Sequence, residues 1–415
     1  MNTKPKTLSH SAETAKLRLD VHNSLTEFSA EQAAQWDALV QDNNPFLKHG
    51  FLSALEAHGC VGEHFGWLPH HLTLTHESPD GDRIVAALPL YEKHNNYGEF
   101  VFDQAWEQAW NHVGLPYYPK LVSAVPYTPA QGQRFLIHSQ PESIGHGLFD
   151  AEQLQTQLFD SALALAEELN MSGVHWLFAS PEQQAWLESH KRDYKRDNEY
   201  FRHDCQFHWF NQDYQTFDDF LAQLKKKKRK NIRQERKAVA ESGLQFRQLN
   251  GHTATEDDWD NFSYFYQKTF IDKWSTPTLN LNFFKAIAQA IPEQILLVLA
   301  DLDGRCIAGA LMFRSDTTLY GRHWGCIEEV KHLHFETCFY QGIDYAIENN
   351  IQKFEPGAGG EHKIARGFIP VKMRSTHWLT QNPFPAGLAR FIEEEKHMID
   401  DYAADCWAHS PYNEN

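Results

Sequence analysis

Two Asp-Gly turns limit what this chain can fold into. Asp80-Gly81 lies between the apolar segments 71–76 and 84–90, and Asp303-Gly304 between 295–301 and 307–313. Such a pair flanked by apolar runs signals a β-hairpin, because both residues accept the left-handed backbone of a tight turn. The segments after the two turns match in order. An extended piece (99–103 and 318–326) precedes a helix (about 151–170 and 333–349), and a strand comes at once (173–179 and 351–357). Late β segments, 205–210 and 372–379, carry His208-Trp209 and His377-Trp378. Motifs repeated in one order argue for internal duplication. Hairpin, third strand, helix and strand make a mixed α/β sheet with helices packed on it. The expected division is an N-terminal extension (1–44), a first unit (45–210) and a second unit (211–415).

Length agrees, since 415 residues exceed one ordinary core. The six cysteines are scattered, as expected of reduced core side chains. The first twenty residues have no apolar stretch of the secretory kind. The longest apolar run, 295–300, is of strand length, so no membrane span is expected and a cytoplasmic location is. The 24 histidines include no His-Glu-x-x-His, and no metal is expected.

The formal charge is −17, yet 224–239 packs nine Lys and Arg into sixteen residues. Lys226, Lys230, Arg233 and Lys237 recur at helical spacing, opposite Leu221, Leu224, Ile232 and Val239. This is a helix docked by its apolar face with its charge outward, suited to phosphate through Lys226, Arg229, Lys230 and Arg233. Glu235 falls on the docked face, as a partner for Lys228 or a cleft carboxylate. A segment with strand character, 243–249, and a helix, 259–270, lead on to the second sheet.

Several motifs resemble a known family. Arg229-Lys230-Asn231-Ile232-Arg233 is similar to the helix opening the second unit of Fem-type transferases. Phe354-Glu355-Pro356-Gly357 with Lys363-Ile364-Ala365-Arg366-Gly367-Phe368 resembles that family's strand, glycine turn and K-x-x-R-G-F run. Asp272-Lys273-Trp274, the segment 319–325 (LYGRHWG), His334-Phe335-Glu336, 116–121 (PYYPKL) and 361–368 (EHKIARGF) resemble a bacterial group of Fem-like N-acyltransferases from about Pro45 onward. The resemblance implies tandem GNAT-like sheets and transfer of an acyl or aminoacyl group to a small-molecule or peptide amine. The implied donor is acyl-CoA (acetyl-CoA) or aminoacyl-tRNA, with tRNA phosphates on the basic helix. One departure stands out. The segments before the two central helices, 144–152 and 327–334, lack the Gly-rich loop that holds acetyl-CoA pyrophosphate in GNAT enzymes. A non-catalytic protein binding an anionic ligand remains the alternative.

N-acyl transfer needs a neutral amine, a route for its proton and donors for the oxyanion. Glu355, set among apolar residues, is a candidate base, against a structural pairing with Arg322, Lys363 or Arg366. Glu361 and His362 are further catalytic candidates. Tyr320, Arg322 and Trp324 alternate with Gly321, His323 and Gly325 on one strand, so the two sets are expected on opposite faces. Tyr320, Arg322, His323 and Trp324, with Lys363 and Arg366, are the expected substrate-binding set. Trp106, Trp110, Tyr117, Tyr118 and Tyr127, stiffened by prolines, form either a packed loop or the wall of an acceptor groove, and Tyr117 and Tyr118 are taken as that wall.

Overall fold

The computed structural model describes residues 16–79, 81–138, 149–189 and 198–413. Asp80 of the first expected turn lies outside them, as do residues 144–148 of the segment before the first central helix.

Fifteen strands are described. From the first half come β1 (Leu17–His22), β2 (Trp67–Pro69), β3 (His71–His76), β4 (Arg83–Leu88), β5 (Tyr91–Lys93), β6 (Lys120–Ser123), β7 (Leu136–Ile137), β8 (Gly173–Leu177) and β9 (Glu199–Phe210). The second half adds β10 (Gln245–Leu249), β11 (Ile295–Leu302), β12 (Arg305–Arg314), β13 (Thr318–Cys326), β14 (Lys353–Glu355) and β15 (Ile369–Leu379). They make a four-stranded sheet, β1-β3-β4-β7, and an eleven-stranded one, β10-β11-β12-β13-β14-β9-β15-β8-β6-β5-β2. The result is a mixed α/β architecture with helices packed on mixed sheets. In the large sheet only β13/β14 and β6/β8 run parallel.

The centre of that sheet is an exchange. β9 pairs with β14 of the other half, and β15 pairs with β8 of the other half, while β9 and β15 pair with each other. Neither half completes its sheet from its own strands.

Local chemistry explains most elements. β11 is buried over its first six residues and reads as an unbroken apolar run, as a central strand covered on both faces must. Asp303 and Gly304 take positive φ, 50° and 76°, in the β11–β12 turn. The helix Ala151–Glu168 starts at Asp150, whose carboxylate accepts from the Glu152 amide, and it buries Leu154, Leu158, Phe159, Ala162, Leu163 and Ala166. Its second-half counterpart runs from Leu333–Phe335 through a π turn, Glu336–Tyr340, into Gln341–Glu348. No helix among the described residues is long and apolar enough to cross a membrane.

Two expectations are corrected. Residues 99–103 are not a strand, and the third strand of the first half is β6. The segment folds back because Phe100 has φ of 60° and Glu99 and Asp103 both turn toward the Lys120 ammonium. The first hairpin, β3/β4, lies in the small sheet, whereas β11/β12 belongs to the large one. Pro89 has no N–H for the ladder, and beyond it the chain continues as β5 in the other sheet. Residues 17–22, ahead of the expected first unit, supply an edge strand to the small sheet.

Candidate functional site

The parallel pair β13/β14 is short. It holds Thr318–Lys353, Leu319–Phe354 and Tyr320–Glu355, and then the strands part. β13 continues to Cys326, while the other chain turns off at Pro356 and Gly357, the latter with φ of 90°. A gap at the carboxyl ends of parallel strands is where α/β sheets receive ligands. A cavity of about 780 Å³ opens there.

Both halves wall it. β13 gives Gly321, Arg322, His323 and Trp324; the turn and the short 3₁₀ helix Glu361–Arg366 give Gly357–Gly360, His362 and Lys363. The helix Glu256–Asp272 contributes Tyr266 and Phe270, and Lys273 comes next. It presses so closely on β13 that a Cβ at Gly325 would lie 2.1 Å from the Phe265 carbonyl oxygen. His334, Cys338 and Phe339 come from the start of the second central helix, where the π turn re-aims the side chains. Tyr97, Gly98, Phe100, Phe102, Tyr127 and Pro129 reach in from the first half.

The gap at the end of the other parallel pair, β6/β8, is filled. After Ser123–Trp176, the last pair of β6/β8, the Gly132 amide donates to Phe178 O at 3.1 Å. The buried Arg134 guanidinium donates from Nε to Leu177 O at 2.7 Å and from Nη2 to Ala130 O at 3.1 Å.

Charge distinguishes the open cavity. Its described lining holds Lys273, Arg322, Lys363 and three histidines, and no Asp or Glu. In a chain of net charge −17 this is a cationic pocket in an acidic molecule. Burial depresses the Lys363 ammonium to about 8, and Nζ donates to Gly357 O at 2.7 Å. Burial likewise lowers Arg322 to about 10, and its Nη2 donates to Tyr127 O across the boundary between the halves. His334 is pushed down to about 4, first by burial and then by His362. His362, although exposed, is lowered by partial desolvation and by Lys363 and Arg366, and His323 falls well below its ordinary value through burial beside Arg322. Neutral imidazoles thus stand beside cationic donors.

The expected residues divide. Arg322, His323, Trp324, His362 and Lys363 line the cavity. Four consecutive residues of β13, 321–324, line it because alternation fails there: Leu311 faces His323 but Met312 faces Gly321, leaving Arg322 as the extra residue of a bulge. Tyr320 is instead buried against Phe46. Glu355, 3 % exposed, lies outside the lining. Its partner is none of the three expected arginines and lysines: Oε1 is 2.6 Å from Lys353 Nζ, and Oε2 accepts from the Gln131 amide at 3.2 Å. Glu361 is exposed and accepts from the Tyr402 hydroxyl. Arg366 lies behind the cavity, with Nη2 2.9 Å from Glu235 Oε1 and its guanidinium over the Phe335 ring. Glu235 therefore pairs with Arg366, and with the Tyr340 hydroxyl, not with Lys228.

Tyr117 and Tyr118 form no groove. Tyr117 donates to Asp103 at 2.7 Å in a buried cluster with Glu99, Lys120 and His175. Glu99, Asp103 and His175 are the one described grouping close enough to hold a cation, and the Lys120 ammonium bonds to all three. From the aromatic stretch only Tyr127, with Pro129, reaches the cavity.

The basic helix is Lys226–Glu241, with Ile232 and Val239 buried and Lys226, Lys230, Arg233 and Lys237 exposed. Leu224 precedes it and is buried, while the Lys225 amide donates to Pro411 O at 2.7 Å. Through Glu235 it touches Arg366, which stands next to the cavity-lining His362. Arg236 is spent on Glu336 and Asp344.

Lys273, His334, Tyr266, Cys338 and Phe102 were not expected as site residues. Lys273 and His334 belong to two of the Fem-like motifs, but only the fold brings those motifs together.

Residues 27–414 match the family model FemAB-like, described as peptidoglycan biosynthesis/recognition. No curated protein matches the chain. Among solved structures, FemX superposes with a TM-score of 0.49 at 11 % identity, covering 88 % of this chain and 99 % of its own. A tandem GNAT protein from the clavulanic acid biosynthesis pathway gives 0.40 at 10 %, covering 88 % and 100 %. L-PGS from Bacillus licheniformis gives 0.43 at 10 %, covering 77 % and 89 %. These likenesses are too distant to carry a functional argument.

Proposed function

The chain belongs to the FemAB-like family, and on that premise we propose that it transfers an acyl or aminoacyl group from an anionic carrier to an amine. The observation that carries this reading is the cavity: three cations, three histidines and no carboxylate at the open end of a parallel strand pair. We read the chain as two units, 45–210 and 211–415, with the reacting centre in the second. The filled gap around Arg134 favours that choice. The first unit contributes the wall bearing Phe102 and Tyr127.

In this reading the acceptor amine attacks the carbonyl carbon, a C–N bond forms and the carrier's C–S or C–O bond breaks. Lys363 and Arg322 face the negative charge on the carbonyl oxygen, strengthened by the desolvation that lowers their own pKa values. His362, exposed at the surface of the 3₁₀ helix but with its pKa lowered by partial desolvation and by the neighbouring Lys363 and Arg366, accepts the amine proton. The carrier is acyl-CoA or a charged tRNA, both polyanions. The exposed lysines of Lys226–Glu241 favour the tRNA. The acceptor is a small-molecule or peptide amine, and we place the reaction in the cytoplasm, where both carriers are.

The test is a thermal-shift series with CoA, acetyl-CoA, charged tRNA and inorganic phosphate, repeated on Lys363→Gln and Arg322→Gln. Stabilisation by a carrier that both variants abolish is the expected result. A shift that survives both substitutions removes this cavity from the function.

A further inference from the structure

The mouth of the cavity has a character that anion binding does not explain. Two segments border it, 96–104 from the first half and 270–276 from the second. The Tyr97 hydroxyl ties them, donating to Thr276 O at 3.2 Å and lying 3.3 Å from Ser275 Oγ. On these two segments stand Trp274 (98 % exposed), Phe102 (69 %) and Ile271 (64 %), the three most exposed large apolar side chains described, with Tyr97 (40 %). Phe102 and Tyr97 line the opening, and Ile271 and Trp274 each adjoin a lining residue, Phe270 and Lys273. Scattered exposed apolar residues need no explanation, but a rim of them around one opening does. The tie accounts for Tyr97; Phe102, Ile271 and Trp274 are buried in no core. Trp274 stands beyond the end of its helix with φ of 54°, and it makes no contribution to a core.

The interior continues the theme. Phe100, Phe270, Leu311, Met312 and Phe339 give an apolar wall, with Lys273, Arg322 and Lys363 in the same chamber. Apolar surface running from inside to rim, with cations among it, fits one molecule carrying both kinds of group.

We propose that the ligand of this site is an amphiphilic anion, a phosphate-bearing headgroup joined directly or through a thioester to an unbranched apolar chain of about eight carbons or more. The cations take the headgroup, and the chain lies against Phe102 and Trp274. This rests on the reading of the cavity as the transfer site, and it goes further in naming what crosses the mouth. The chain can belong to the transferred acyl group or to a lipid acceptor, and the chemistry of the rim is the same for both.

The experiment measures binding to the intact protein by calorimetry, below the critical micelle concentration of each probe. One series is CoA, acetyl-CoA, octanoyl-CoA and dodecanoyl-CoA. The other is glycerol 3-phosphate and lysophosphatidates of matching chain length. Affinity is expected to climb with chain length by up to about fourfold per methylene in one series. The series that climbs identifies whether donor or acceptor carries the chain. In the double variant Phe102→Ser, Trp274→Ser the climb should flatten at least tenfold at twelve carbons, with the melting temperature unchanged, since both side chains are exposed. A climb that persists in the double variant overturns the assignment to the rim. Affinity independent of chain length in both series, with CoA or glycerol 3-phosphate still bound, overturns the amphiphile and leaves the transfer site standing. Binding of no member of either series overturns both.

Discussion

At the scale of single residues, the two strongest sequence candidates for proton chemistry separate. Glu355 lies outside the cavity lining with the Gln131 amide and the Lys353 ammonium near its two oxygens, contacts suited to holding β14 against the first half. Glu355→Gln should lower stability by about 1–3 kcal/mol, discounted for the partly exposed Lys353, and leave carrier binding by the folded protein intact. A melting curve beside a binding isotherm checks this, and a variant that melts normally but loses binding would return Glu355 to the site. Lys363 has the opposite profile. Its pKa is lowered to about 8, so the ammonium is present below that value and is lost as pH rises through it. Anion affinity should therefore fall between about pH 7 and 9, and Lys363→Gln should remove that limb. The same shift has a stability signature of opposite sign. Between about 8 and the ordinary lysine value the unfolded chain holds more protons than the folded one, so this group makes the protein more stable as pH rises there. A pH titration of binding and one of stability should move in opposite directions.

At the scale of elements, the basic helix was legible because its two faces are written at 3.6-residue spacing, and Ile232 and Val239 are buried as that spacing requires. Changing Arg229, Lys230 and Arg233 together to Gln should weaken binding of a tRNA acceptor stem and flatten its salt dependence, by a slope of up to about three. The melting temperature should hardly change, because the only described ion pair lost is the exposed Arg233–Asp218. Unchanged affinity and slope would make the helix a solvated face. The second hairpin was legible from its Asp-Gly turn between apolar runs, and the central helices from the order of the segments around them. The cavity was not. The bulge that turns Arg322 inward is visible only in the pairing of β12 with β13. The segment 99–103 looks extended by composition, and Lys120, seventeen residues beyond Asp103, decides that it loops. Tyr117 and Tyr118 carried the look of a groove, yet Asp103 draws both hydroxyls inward.

At the scale of the whole molecule, the exchange of β9 and β15 decides what can be separated from what. A cut at residue 211 should yield two insoluble pieces, each lacking the strand that covers an exposed edge, β14 in one and β8 in the other. Co-expression of 1–210 with 211–415 should restore a soluble pair, measured by co-purification and by a single cooperative melt. A first half that folds alone would show that the crossed strands are dispensable. The same exchange bears on how the protein is made. β8 leaves the ribosome with β6 on one side and nothing on the other, and its second neighbour begins at Ile369, almost two hundred residues later. At about 5–20 residues per second that edge waits ten seconds or more. Through that interval the nascent chain depends on chaperones or on chance to keep the strand from a stranger, and the order of translation becomes part of the protein's fitness.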